Sequence, residues 1–143
     1  MFIYEAGALT YYHRNDQIDK GLNWRSELDT WANDNNIKTF NPGLTYLLEK
    51  NHSYDPKMCV IQNDYYIEKC DICVVNLNDI DFSPGTQYEL IRFKLLGKPV
   101  VAFGNKHWSP HINFCISHQC ENLEEVIELL CNMFNQETRS ICR

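Results

Sequence analysis

What this chain lacks narrows its function before any motif is considered. It has no run or stripe of lysine and arginine, and its formal net charge is −6, so a nucleic-acid backbone is not expected as a partner. No apolar stretch approaches the ~20 residues that span a bilayer, so a membrane is not expected either. The opening Met1-Phe2-Ile3-Tyr4-Glu5 lacks the basic head and long apolar core of a signal peptide, which predicts a cytoplasmic protein. There is no GxxxxGK[ST] loop and no GxGxxG, which removes the usual cradles for nucleoside triphosphates and dinucleotides. A GxSxG nucleophile elbow is also missing.

What is present reads as one folded domain spanning residues 1–143. The chain is 44% hydrophobic and 13% aromatic, too apolar for disorder and long enough for a core. Seven cysteines, an odd number, lie mostly within apolar patterns and read as reduced thiols. Cys70-Asp71-Ile72-Cys73 is a CxxC, but Cys73 begins an apolar strand, whereas a thioredoxin-like pair follows a strand at a helix start. No second CxxC completes a zinc site. His107, His111, Cys115, His118 and Cys120 invite a zinc reading too. It needs His107 and His111 on one helical face, which Ser109-Pro110 disfavours. Neither a metal nor an organic cofactor is expected.

Periodicity predicts alternating strands and helices. Short strands are expected at Phe2 to Tyr4 and Ile37 to Phe40, then at Ile72 to Leu77, Pro99 to Phe103 and about Phe114 to Ser117. Helical spacing runs from Ile18 to Asn33, from Asp55-Pro56 to Lys69, from Pro84 to Leu96 and over residues 122–135, with Asn122 as cap. The last helix should pack Leu123, Val126, Ile127, Leu130 and Phe134 on the sheet. Residues 44–56 form a polar excursion suited to lie over a site. This alternation predicts an α/β, doubly wound, flavodoxin- or Rossmann-like sheet of about five mostly parallel strands with flanking helices.

The stretch Ser83-Pro84-Gly85-Thr86-Gln87-Tyr88-Glu89 joins a buried strand to a helix, with Ser83 as cap and Pro84 in the first turn. Glu89 is then expected at the carboxyl edge of the sheet, where open α/β sheets bind ligands. With Asp64 on the preceding helix it forms a pair of carboxylates. Such a pair suits glycosyl chemistry, one attacking the anomeric carbon and the other handling the leaving group's proton. A salt-bridged Asp64 and a solvated Glu89 are the alternative at this point. Tyrosines 4, 11, 12, 46 and 54 are candidates to line such a pocket, or ordinary half-buried core.

Five features occur in order: Ile3-Tyr4-x-Ala6-Gly7, Asn63-Asp64, Cys70-Asp71-Ile72, Gly85-Thr86-x-x-Glu89-Leu90 and Gly97-Lys98-Pro99-Val100. Together they resemble the nucleoside 2-deoxyribosyltransferase family over roughly residues 2 to 117. The resemblance implies that Glu89 attacks C1′ of a 2′-deoxynucleoside, expels the base and holds a deoxyribosyl ester until a second free nucleobase arrives, with retention of configuration. It implies Asp64 as the proton-handling group, Tyr4 as the hydroxyl that orients Glu89, and Gly7, Gly85 and Thr86 around the sugar. An asparagine lent by a neighbouring subunit holds the sugar 5′-hydroxyl in that family. Ile112-Asn113-Phe114 resembles its segment, which implies a homo-oligomer with shared sites and an inactive monomer.

One departure stands out. Many members carry an aspartate six residues before the nucleophile, where this chain has Ser83; Asp81 is a possible substitute. Ser83 at a helix start also suits a 5′-phosphate, as in the related nucleoside 5′-monophosphate N-glycosidases, which hydrolyse rather than transfer. A non-catalytic nucleotide-binding module is the reading from a different class.

Overall fold

The computed structural model describes residues 1–43 and 56–141, with side chains for 1–43 and 57–133. Tyr46, His52, Tyr54, Cys142 and the side chain of Phe134 lie outside the described residues, as does most of the polar excursion.

The described elements are β1 (Phe2–Ala6), α1 (Thr10–Arg14), α2 (Ile18–Asp34), β2 (Lys38–Phe40), α3 (Pro56–Lys69), β3 (Ile72–Asn76), a 3-10 turn (Ile80–Phe82), α4 (Pro84–Leu95), β4 (Val100–Phe103), α5 (Pro110–Cys115), β5 (His118–Gln119) and α6 (Leu123–Ile141). The five strands pair in the order β2-β1-β3-β4-β5, and every pairing is parallel, with Ile3 opposite Ile72 and Val74 opposite Val101. The expected fold class is therefore the observed one.

Alternation along the strands builds two cores. Ile72 and Val74 face one way and pack with Trp24, Leu28, Val126 and Leu130 of α2 and α6. Cys73 and Val75 face the other way and pack with Ile67, Leu90, Phe93 and Ile112 of α3, α4 and α5. β3 is consequently buried along its whole length, as a central parallel strand covered on both faces should be. The chain leaves β1 toward β2 on one side and resumes at β3 on the other, so the order reverses between β1 and β3. At such a point the loops diverge and leave a crevice at the carboxyl ends of the strands.

One expectation fails and one element was not expected. A strand over Phe114–Ser117 is absent; Pro110–Cys115 is helix α5 and β5 is confined to His118–Gln119. Ser109 is extended (φ −74°, ψ 126°), which the following proline requires, and Pro110 then sits in the first turn, where its missing N–H costs nothing. Ile112 and Cys115, three apart, are both buried, so the helical spacing prevailed over the apparent alternation. Sequence reading also missed α1, whose Tyr12 is buried. By contrast Asn122 caps α6 as expected, its Oδ1 accepting the Glu125 N–H at 3.0 Å.

Candidate active site

Helix α4 begins at the Ser83-Pro84 junction and carries Glu89 one and a half turns in, where it points back toward the sheet. Glu89 is 7% exposed. Tyr4 of β1 donates its hydroxyl proton to Glu89 Oε1 at 2.8 Å, and the Asn63 amide of α3 donates to the same oxygen at 3.2 Å. The Tyr4 ring is wedged between Phe40 and Phe93, both centroids 5.4 Å away, which fixes the direction of its hydroxyl. Burial pushes the Glu89 carboxyl up to about 7, against the opposing pull of the Tyr4 bond, the Arg25 charge and the Asn63 bond; Asp64 adds a smaller push upward.

Glu89 lines a cleft of about 320 Å³ together with Asn63, Ser83, Gly85 and Thr86 on one side, and Glu5, Gly7 and Arg25 on the other. Ser83 occupies the position before α4 but does not bond a backbone N–H. Its hydroxyl instead lies 2.8 Å from that of Thr86. A Cβ built on Gly85 meets nothing within 4 Å, so the bare backbone there leaves room for a ligand rather than relieving a clash within the protein.

The remaining expected site residues lie apart from this cleft. Asp64 follows Asn63 by one residue, about 100° further round the helix, and is turned to the outer side. There it accepts the Tyr88 hydroxyl at 2.9 and 3.0 Å and meets Arg92 Nε at 3.4 Å. Asp81 lines a neighbouring cleft of about 600 Å³ with Tyr12, Lys20, Asn78 and Lys106. Its Oδ1 lies 2.9 Å from His107 Nε2, and Trp108 Nε1 donates to both carboxylate oxygens. Asn113 of α5 donates to the His107 carbonyl at 2.7 Å.

His107 is thereby engaged at both ring nitrogens, since its Nδ1 accepts the Ser109 N–H at 3.0 Å. Cys70 and Cys73 are fully buried, and burial pushes the Cys70 thiol up to about 12 and Cys73 well upward, so neither supplies a thiolate for redox chemistry. Of the described tyrosines, Tyr11 stacks on Phe82 and Tyr12 donates to Asp79, away from the Glu89 cleft.

Sequence reading overlooked Glu5 and Arg25, which are 0% and 2% exposed. Arg25 Nη2 donates to the Gly7 carbonyl at 3.3 Å, Nη1 to that of Gly21, and Nε lies 3.9 Å from Glu5 Oε2. Both leave a trace in the sequence. Glu5 is a carboxylate inside an apolar strand. Arg25 falls on the buried stripe Gly21, Arg25, Leu28 and Ala32, where a cation is out of place unless paired.

The class that fold and site define is an open parallel α/β domain with a buried, hydrogen-bonded glutamate at its switch point. Solved structures share this fold. One is a 2-deoxyribosyltransferase from the psychrotolerant bacterium Bacillus psychrosaccharolyticus, with TM-score 0.67, 24% identity, and 89% of this chain and 90% of that one covered. Another is a conserved protein from Enterococcus faecalis, with TM-score 0.69, 15% identity and coverages of 90% and 95%. A third is a CMP N-glycosidase from Clostridium botulinum, with TM-score 0.64, 13% identity and coverages of 93% and 99%. No protein-family model and no curated protein sequence matches this chain. Among the described residues, no helix is long and apolar enough to cross a membrane.

Proposed function

We propose that this chain acts on the N-glycosidic bond of a deoxynucleoside, transferring 2-deoxyribose between nucleobases through an ester on Glu89. The observation that carries the reading is the buried Glu89 carboxyl, held at Oε1 by Tyr4 and Asn63 within a cleft at the β1–β3 switch point. Two donors on one oxygen fix the plane of the carboxyl, and Oε2 takes no hydrogen bond from any described residue. That oxygen is the one to approach C1′. A 2′-deoxy sugar lacks an electron-withdrawing hydroxyl, so its oxocarbenium-like transition state forms readily, and a carboxylate in a water-poor cleft stabilises it strongly. Gly7, Gly85 and Thr86 shape the sugar's surroundings, and retention follows from two successive displacements at C1′. The resemblance assigns the leaving-group proton to Asp64.

A second reading, hydrolysis of a nucleoside 5′-monophosphate, is favoured by one observation. Ser83 lines the Glu89 cleft at the start of a 12-residue helix, where hydroxyls and backbone dipoles suit a phosphate. Asp81 instead faces His107 and Trp108, which weakens it as a substitute for the missing aspartate. We place the protein in the cytoplasm as a homo-oligomer, with Asn113 serving a neighbouring subunit's site.

Incubation with deoxyinosine, deoxycytidine or deoxythymidine plus adenine tests the proposal, with Glu89→Ala alongside. Deoxyadenosine formed by the wild type alone supports transfer. Free base and sugar without a new nucleoside, above all from 5′-monophosphates, support the hydrolase. No turnover of any donor, with ligand affinity unchanged in Glu89→Ala, would leave a binding module.

A further inference from the structure

Two buried carboxyls share one cleft, and the proposed reaction so far uses only one of them there. Glu5 adjoins Tyr4 on β1, so its side chain leaves the opposite face of the strand and reaches the cleft from the α2 side. It is fully buried with Asp29 of α2 as its carboxyl neighbour, yet among the described residues neither of its oxygens nor Arg25 Nε makes a hydrogen bond of normal geometry. Polar atoms left so in a folded interior are rare, and a catalytic role is one of the reasons for which they persist. The rest of the guanidinium is fixed. Nη1 and Nη2 hold the Gly21 and Gly7 carbonyls, and the Trp24 ring lies 4.5 Å from its centre. Nε is thus the guanidinium nitrogen without a hydrogen bond among the described residues, facing Glu5 Oε2 at 3.9 Å.

We propose that Glu5, and not Asp64, gives the departing base its proton, with Arg25 holding the carboxylate that remains. This rests on the N-glycosyl reading above. Asp64 does not line the cleft, and both of its oxygens are occupied by the Tyr88 hydroxyl, with Arg92 beside them. Glu5 lines it, between Asp29 and Arg25. Burial, then the charge and contact of Asp29 on α2, push the Glu5 carboxyl up to about 9 against the pull of Arg25, so it carries a proton at neutral pH. Glu89, at about 7, is substantially ionised at the same pH. Two carboxyls driven apart in one site divide into acid and nucleophile.

The step balances. Glu89 forms a bond to C1′, the C1′–N bond breaks with its electron pair going to the base, and the base takes the Glu5 proton. Glu5 is left as a carboxylate beside the Arg25 cation. In the return step a second base, or water, attacks C1′ and gives its proton to Glu5, while the ester's electron pair returns to Glu89.

The test compares leaving groups in Glu5→Gln, which keeps the shape and loses the acid. Two donors are used: the nucleoside or nucleotide that the wild type turns over, and the matching 4-nitrophenyl glycoside, whose leaving group departs as a stable anion without a proton. The expected result is a loss of ~10²–10⁴-fold on the first and near wild-type rates on the second. Glu5→Asp should recover part of the first, and thermal unfolding reads whether each variant folds. An infrared band from a protonated carboxyl at pH 7, absent in Glu5→Gln, should accompany this. Equal losses on both donors, or no loss on the nucleoside, would overturn the assignment. So would leaving-group-selective loss in Asp64→Asn instead. Wild-type protein inert toward every donor would sink the N-glycosyl reading itself, a failure distinct from these.

Discussion

The Tyr4 hydroxyl and Glu89 Oε1, 85 residues apart in the chain, are joined by a 2.8 Å hydrogen bond that ties the first strand to the helix after the third. That bond stabilises the ionised carboxylate and so opposes the effect of burial on Glu89. Removing it in Tyr4→Phe should move Glu89 above its value of about 7. The acid limb of the kcat/KM profile should shift to higher pH, and activity at neutral pH should fall roughly 10- to 100-fold, the weight of a bond to a charged group. A profile superposable on the wild type's would show that Tyr4 does not act through Glu89.

Stability should fall as pH rises. A carboxyl whose folded value lies above its unfolded one binds its proton more tightly when folded. Its contribution is whole below the unfolded value, 4.5, and is lost as pH climbs through the folded value. Glu89 loses its share by about pH 7 and Glu5 by about pH 9. Tm is therefore expected to drop between pH 5 and pH 9, and Glu5→Gln should flatten the upper part of that slope. A Tm that rises across this range would contradict the buried, protonated state of Glu5.

Gly85→Ala separates fold from ligand. The added methyl meets no protein atom within 4 Å, and alanine suits a helix better than glycine, so stability should be unchanged or rise by up to ~1 kcal/mol. Gly85 lines the cleft, so the methyl takes up ligand space and KM should increase roughly tenfold, the equivalent of ~1.4 kcal/mol. Unfolding and steady-state measurements on one preparation read both.

If Asn113 serves a partner's site, Glu89→Ala and Asn113→Ala homo-oligomers should each be inactive, yet regain activity when mixed and allowed to exchange subunits. The mixture combines an intact Glu89 with an intact Asn113 in some sites. Inactivity that persists after demonstrated exchange would confine Asn113 to its contact with the His107 carbonyl.

The sheet was legible because β1, β3 and β4 are buried apolar runs whose type depends little on neighbours. β5, two exposed residues, has no such signal, and α5 was obscured because Ile112, Phe114 and Ile116 alternate while the proline before them reads as a breaker. In the site, motif order pointed to Glu89 and Tyr4, which the fold joins by a hydrogen bond. Asp64 was singled out as a second carboxylate and by the resemblance, but helical rotation decides which of two consecutive side chains enters a cleft, and here Asn63 lines it. Glu5 and Arg25 went unseen because each looks like an isolated charge until the fold brings strand and helix together.

The position of Trp24 has a practical consequence. Its indole lies beneath the Arg25 guanidinium and edge-on to Phe103, with only Arg25 between it and the Glu5 carboxyl. An indole's emission responds to charge held against its ring, so the protein carries its own optical gauge. Of its three tryptophans, this one should change colour or brightness as the cleft fills, with no label added.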